Sequence, residues 1–313
     1  MVSKGIIQDM DFLRRRLKYI FLLLILFQVI LSLTGCQNQG RYTPTQETQI
    51  TETEIPQTPT PTSIPMAATV NGIGISQAFY EGEIARYMIG LQQSGKESPT
   101  DAEIRTIVLD DLISQTLLAQ GAEEAGFIVS DEDYLQAVSD LVEEVGGEDV
   151  LSAWKSDQGY DEASFEIALR LSIAAAHQRD LIIASIPENI ELIHAQQIFA
   201  YTKQGAERAL AELNAGVDFD EVAWEYDLQT GGELGWFPPG YLTVAELNTI
   251  VMALNIGERS EIVESELGYH IIRVLGRDTE HQITTDALFF VQRQAISDWL
   301  SVARDQAEII INN

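Results

Sequence analysis

Apolar residues follow a helical period along the first half of the chain and lose it beyond Pro187. Ahead of the helices, Ala68 to Ser76 reads as a short strand–turn–strand that ends on Ser76 as a helix cap. The first helix is expected from Gln77 to Gln93, stopped by Ser94 and Gly95. After Pro99, Thr100-Asp101-Ala102-Glu103 forms a capping box. It opens a long amphipathic helix with Ile104, Val108 and Leu112 on one row and Leu109, Ile113 and Leu117 beside it. Gly126 stops that helix. Ser130-Asp131-Glu132-Asp133 opens another to about Val145, and Gly146-Gly147 breaks it. A short helix carries Val150, Leu151 and Trp154, and a last one runs from about Glu162 to Ser185.

Strand-like runs follow. Ile193 to Phe199 carries His194 near its start, and Gly268 to Val274 is entered through a glycine and carries His270. Between them, residues 231–240 hold four glycines and two prolines, too dense for a helix or an uninterrupted strand. Yet Leu234, Trp236 and Phe237 within that stretch belong inside a core or pocket, so a rigid corner building a small apolar binding site is expected. Thr284 to Glu308 returns to helical spacing with Leu288, Val291, Ala295, Trp299 and Val302, and Ile309-Ile310-Ile311 makes an apolar end. Leaving Trp299 and Leu300 in water is costly. The segment is therefore expected to pack back onto the N-terminal helices, making one discontinuous domain; an exposed helix that binds a partner is the alternative.

A chain of 313 residues with 45% hydrophobic content has room for two packed domains. One cysteine excludes an intramolecular disulfide and a cysteine metal cluster, and the four scattered histidines show no metal spacing. No metal and no cofactor are expected. Lys4, Arg14, Arg15, Arg16 and Lys18 precede an apolar run from Tyr19 to Leu33, short of the about twenty residues of a membrane span. That pattern suits a signal peptide. Gln37 to Pro65, rich in Thr, Gln, Glu and Pro, cannot bury enough apolar surface to fold and reads as a disordered tether. As a coil it reaches roughly 30 Å. The net charge of −29, deeper once the basic leader is removed, argues against nucleic-acid binding.

His194, Gly-Gly-Glu-Leu-Gly-Trp-Phe at 231–237 and Gly-Tyr-His-Ile-Ile-Arg-Val at 268–274, in that order, resemble the parvulin family of peptidyl-prolyl isomerases. The likeness covers about Ile190 to Asp278. The opening Thr69-Val70-Asn71-Gly72-x-x-Ile75-Ser76 resembles SurA-type N-terminal domains, and the flanking segments resemble the SurA/PrsA group of extracytoplasmic folding factors. Leu33-Thr34-Gly35-Cys36 looks like a bacterial lipobox, which implies lipidation of Cys36; a retained signal anchor is the alternative. The resemblance implies an α+β protein. A signal peptide at 1–35 and a tether at 36–66 precede a helical chaperone domain at 67–189, completed by 279–313. An inserted parvulin domain at 190–278 has a small antiparallel sheet flanked by helices.

Prolyl isomerisation needs the amide conjugation weakened against a barrier of about 18–20 kcal/mol. An apolar slot for the proline ring plus a few polar groups that favour the twisted amide suffices, without nucleophile, metal or cofactor. The resemblance implies that His194 and His270 lie together beneath the substrate, hydrogen-bonded so as to fix their tautomers. It places Asp227 as the remaining polar group. Leu234 and Leu242 match slot positions, beside Trp236 and Phe237; the family's pocket phenylalanine falls near Leu247 or Glu246, and Met252 replaces another aromatic. At each of these positions plain core packing competes.

Two departures stand out: residues 226–230 run almost directly into Gly231, and Leu267 precedes Gly268 where a serine or threonine is often seen. Without an arginine cluster, phosphoserine-proline selectivity is not expected. His177 and His281 read as surface or interdomain residues. The reading is a lipid-anchored folding factor on the extracytoplasmic face, acting on unfolded or newly exported polypeptides. The helices are a cradle for clients or a mere scaffold. The alternatives for the whole chain are a holdase with an inactive parvulin domain and, less favoured, a solute-binding lipoprotein.

Overall fold

The computed structural model describes residues 64–94 and 99–312. The leader at 1–35, Cys36, the tether up to residue 63 and the helix stop at Gly95 lie outside the described residues. Met66, assigned to the tether, already opens a strand. The chain divides into two compact units, one up to Asp180 with Leu300–Asn313 and the other Leu181–Trp299.

In the first unit, β1 (Met66–Val70) and β2 (Ile73–Ser76) form a hairpin. Asn71 and Gly72 turn it, both at positive φ, as a two-residue hairpin loop requires. The Ser76 hydroxyl then accepts from the Phe79 amide and starts α1 (Gln77–Ser94). Thr100 and Glu103 close a full capping box on α2 (Asp101–Glu124), whose stripe of Ile104, Val108, Leu112, Ile113 and Leu117 is buried. Ser130 and Asp133 do the same for α3 (Asp131–Val145), which ends on Gly146 in the left-handed region. Helices α4 (Glu148–Asp157) and α5 (Glu162–Ala184) join α3 around Leu141, Leu151, Trp154, Phe165 and Leu169. His177, read as a surface or interdomain residue, instead stacks on Phe127 at 3.9 Å inside this unit.

From Leu300 the C-terminal segment returns here, while Trp299 and the part of the helix before it fall in the other unit. Helix α9 (Thr285–Gln306) ends with Arg304 paired to Asp110 at 2.8 Å and to the Ser114 hydroxyl at 2.7 Å. The apolar end then becomes a strand, β7 (Ile309–Ile311), antiparallel to β1 in a sheet ordered β2-β1-β7. Its own residues are half-buried or exposed. The sequence shows the apolarity of this end; the strand comes from the unpaired edge that β1 offers it.

The second unit is a four-stranded antiparallel sheet ordered β4-β3-β6-β5. Its strands are β3 (Leu192–Ala200), β4 (Glu233–Phe237), β5 (Val263–Ser265) and β6 (Gly268–Asp278). Helices α6 (Lys203–Asn214) and α7 (Phe219–Tyr226) cover one face around Ile198, Ala209, Phe219, Val222 and Ile271. Helix α8 (Ala245–Ala253) covers the other around Ile193, Phe237, Leu247, Val251, Ile272 and Val274. The stretch at 231–240, expected to exclude an uninterrupted strand, carries β4. The strand survives by bulging: Ala195 faces Gly235 while Gln196 faces Glu233, which leaves Leu234 as the extra residue. Gly235, at φ +69°, makes the bulge possible.

Candidate functional site

Cross-strand register sets the site. His270 on β6 lies opposite Val263 on one side and Phe199 on the other, and Gln197 lies opposite Ile272. Directly paired residues share a face. Val263 and Ile272 belong to the core under α8, so His270, Gln197 and Phe199 all project to the α8 face. His270 is 3% exposed, and a buried ring must place both nitrogens. Its Nδ1 is 3.1 Å from Gln197 Oε1, an acceptor only, so Nδ1 carries the proton and donates. Its Nε2 is 2.8 Å from Ser265 Oγ and accepts the hydroxyl proton. Ser265 Oγ in turn accepts from the Leu267 amide at 3.2 Å. Burial pushes the His270 pKa below its ordinary value, against the opposing pull of the Glu246 carboxylate. The ring is therefore neutral near pH 7, with its tautomer fixed from both sides. Phe199 packs its ring 5.0 Å from His270 and meets exposed Tyr201 edge-on at 4.8 Å.

His194 and His270 are not brought together. His194 lies across from Gly276 and Trp236, six residues further along β6 than His270, and on the opposite face from buried Ile193. Its Nε2 meets Glu233 Oε1 at 2.6 Å. Its ring stacks on Trp236, which also stacks on His281 at 4.4 Å. His281 is thus a ring partner within this unit. The side chain bonded to His270 at Nδ1, where the resemblance implies His194, is that of Gln197.

Asp227 is not free either. One oxygen accepts from the amides of Gln229 and Thr230, at 2.9 and 3.2 Å. The other accepts from the Thr230 hydroxyl and, at 3.4 Å, from the Gly232 amide. These bonds, the Thr230 hydroxyl foremost, hold its pKa down at about 2. Asp227 therefore shapes the shortened loop that delivers Gly232. That glycine is obligatory, because a Cβ there would lie 1.8 Å from the Gln197 carbonyl oxygen.

The apolar positions divide. Leu234, presented by the bulge, and Leu242 are half-buried against the α8-face core. The Leu242 backbone is clasped on both sides by the Asn248 amide, at 3.0 and 2.7 Å. Phe237 and Leu247 are buried core residues, so any role in a slot comes from beneath. Trp236 belongs to the histidine stack, and Met252 is 48% exposed near the far end of α8. Sequence reading missed Gln197, Phe199 and Ser265. The serine supplies from β5 the hydroxyl that Leu267 lacks, two residues earlier in the chain. Among the described residues, the helical unit has a cleft of about 490 Å³ beside Trp154 and Tyr160 and another of about 640 Å³ between the β1–β2 hairpin and residues of α2 and α5.

A four-stranded antiparallel sheet with helices on both faces, and a buried histidine hydrogen-bonded at both ring nitrogens on the face that also carries half-buried leucines, fits a parvulin-type isomerase domain. The chain belongs to the SurA-like family: residues 10–178 match the SurA-like N-terminal domain, and residues 185–276 match the PPIC-type PPIase domain. It is 26% identical over 201 residues to foldase protein PrsA of Geobacillus kaustophilus, covering 60% of this chain and 69% of that one. It is 30% identical over 271 residues to chaperone SurA of Dechloromonas aromatica, covering 73% of this chain and 61% of that one. Among solved structures, peptidylprolyl isomerase PrsA of Bacillus cereus aligns with a TM-score of 0.44 at 20% identity, over 78% of this chain and 91% of that one.

Proposed function

We propose that this protein is an extracytoplasmic folding factor that isomerises X-Pro bonds in exported polypeptides and holds unfolded segments in its helical unit. The Gln197–His270–Ser265 chain, on the same α8 face of the sheet that Leu234 and Leu242 pack against, carries this reading. It offers a fixed, uncharged dipole next to an apolar surface, which suits an amide losing its conjugation in a dry slot. The cleft of about 640 Å³, with exposed Ile73, Ile128 and Ile167 on its walls, supports client binding by the helices. Within this reading the helical domain spans 67–189 and 279–313, with 190–278 inserted; the pairing of β7 with β1 supports it. Cys36 is the lipid anchor to the membrane. Cys36→Ala then leaves the precursor unlipidated, and mass spectrometry finding a wild-type protein processed without lipid refutes the anchor.

The test is an isomerisation assay on the full chain with several X-Pro peptides. The wild type accelerates exchange over solvent, and His270→Ala lowers it. A second reading, a holdase whose parvulin unit only binds, is favoured by Gln197 at the histidine position and by Asp227 being committed to its loop. A folded wild type no faster than solvent, yet suppressing aggregation of an unfolded protein, selects it.

A further inference from the structure

Glu246 is a charge that the isomerase reading leaves unused. It lies exposed in the first turn of α8, next to buried Leu247, on the helix that covers the face shared by Val263, His270 and Phe199. At the other end of α8, about 12 Å along its axis, Arg277 is committed to the carbonyls of Val251, Met252 and Leu254 and to Glu191. Arg273 is held on the opposite face by Asp220 and Gln196. Arg259 bonds Asn214 and Arg208 bonds Tyr226. Lys203 opens α6, which packs on the opposite face. None of these contacts carries a cation to the first turn of α8, the end of that helix away from Arg277; the remaining cation of this unit, Arg293, lies exposed on α9. From that turn the Glu246 carboxylate opposes the effect of burial on the His270 ring.

We propose that Glu246 makes this site prefer X-Pro bonds in which X is lysine or arginine and disfavour those in which X is glutamate or aspartate. This rests on the isomerase reading, because a side chain flanking the bound amide must feel a charge that reaches the ring beneath it. An exposed pair of this kind changes a rate ratio by about two- to fivefold. Salt near 1 M, with a screening length of about 3 Å, removes it.

The experiment compares kcat/KM of the full chain on peptides identical except for X, being Lys, Ala or Glu. The lysine peptide is expected to exceed the glutamate peptide by up to about fivefold at low salt, and the two become equal at high salt. Glu246→Gln, nearly isosteric, brings the ratio towards one, and Glu246→Lys inverts it. Glu264→Gln keeps the ratio, since Glu264 pairs with Tyr269 away from the α8 face. Equal wild-type rates for lysine and glutamate, or a preference that survives Glu246→Gln, overturn this inference alone. No acceleration with any of the three peptides overturns the isomerase reading as well.

Discussion

His270 works as a neutral group because burial disfavours its charged form, and its neighbours fix which nitrogen carries the proton. Gln197 cannot change charge, and Ser265 donates to Nε2 only while that nitrogen is bare. The sign of the pH dependence follows. The folded pKa is depressed, so the stabilisation is complete above the unfolded value near 6.5 and is lost as pH falls through the folded pKa. Isomerase activity should therefore be flat above about pH 7 and fall on the acid side. Ser265→Ala should cost about tenfold in kcat/KM, the worth of one lost hydrogen bond of about 1.4 kcal/mol. It should also shift the acid limb; an unshifted limb would detach Ser265 from the ring. Asp227→Asn is expected to loosen the loop with little effect on the pH profile, because its carboxylate titrates at about 2. The two glycine-bearing motifs and His270 were legible in the sequence. The partner of His270 was not, because it depends on pairing Phe199 with His270, which puts Gln197 on the ring's face and His194 on the other. A slip of one residue exchanges the faces, and one sequence does not encode its register openly.

At the scale of elements, the capped helices were readable because each start is written locally. Thr100 with Glu103, Ser130 with Asp133 and Ser76 all cap where the side chains predict. The edge elements were harder. β4 needs a bulge to pass through its glycines, and β7 exists only against β1, so both depend on partners distant in the chain. Helix α8 is short and has no side-chain hydrogen bond at its N-cap. It is held by Leu247 and Val251 in the core and by Arg277 at its C-terminal carbonyls, the shortest contact being 2.6 Å to Val251. A cation there also complements the negative end of the helix. Arg277→Ala should lower stability by about 1–2 kcal/mol. It should weaken peptide binding through a displaced Leu242–Asn248 clasp, raising KM more than it lowers kcat. An unchanged melting curve with unchanged KM would show that α8 is fixed by its apolar face alone.

At the scale of the molecule, the first and last segments of the described chain depend on each other. The Asn71 side chain donates to Gln120 Oε1 at 2.8 Å and accepts from the Glu308 amide at 2.8 Å, while its backbone amide donates to the Glu308 carbonyl. The Asn312 amide donates to the Ala67 carbonyl at 2.9 Å. β1 is almost wholly buried, with Ala68 and Val70 at 0% exposure. Removing residues 307–313 strips one flank of that strand, leaving a row of unpaired backbone groups beside an apolar surface. Such an edge invites pairing with other chains. The truncated protein should melt several degrees lower and associate at concentrations where the full chain does not. Asn71→Ala should give a smaller loss in the same direction, about 1–2 kcal/mol for two hydrogen bonds, or roughly 3–6 °C for a unit of this size. Calorimetry with sedimentation at two concentrations checks both variants. A truncation that melts like the full chain would mean that β7 merely lies on β1 and that the helices hold the first unit without it.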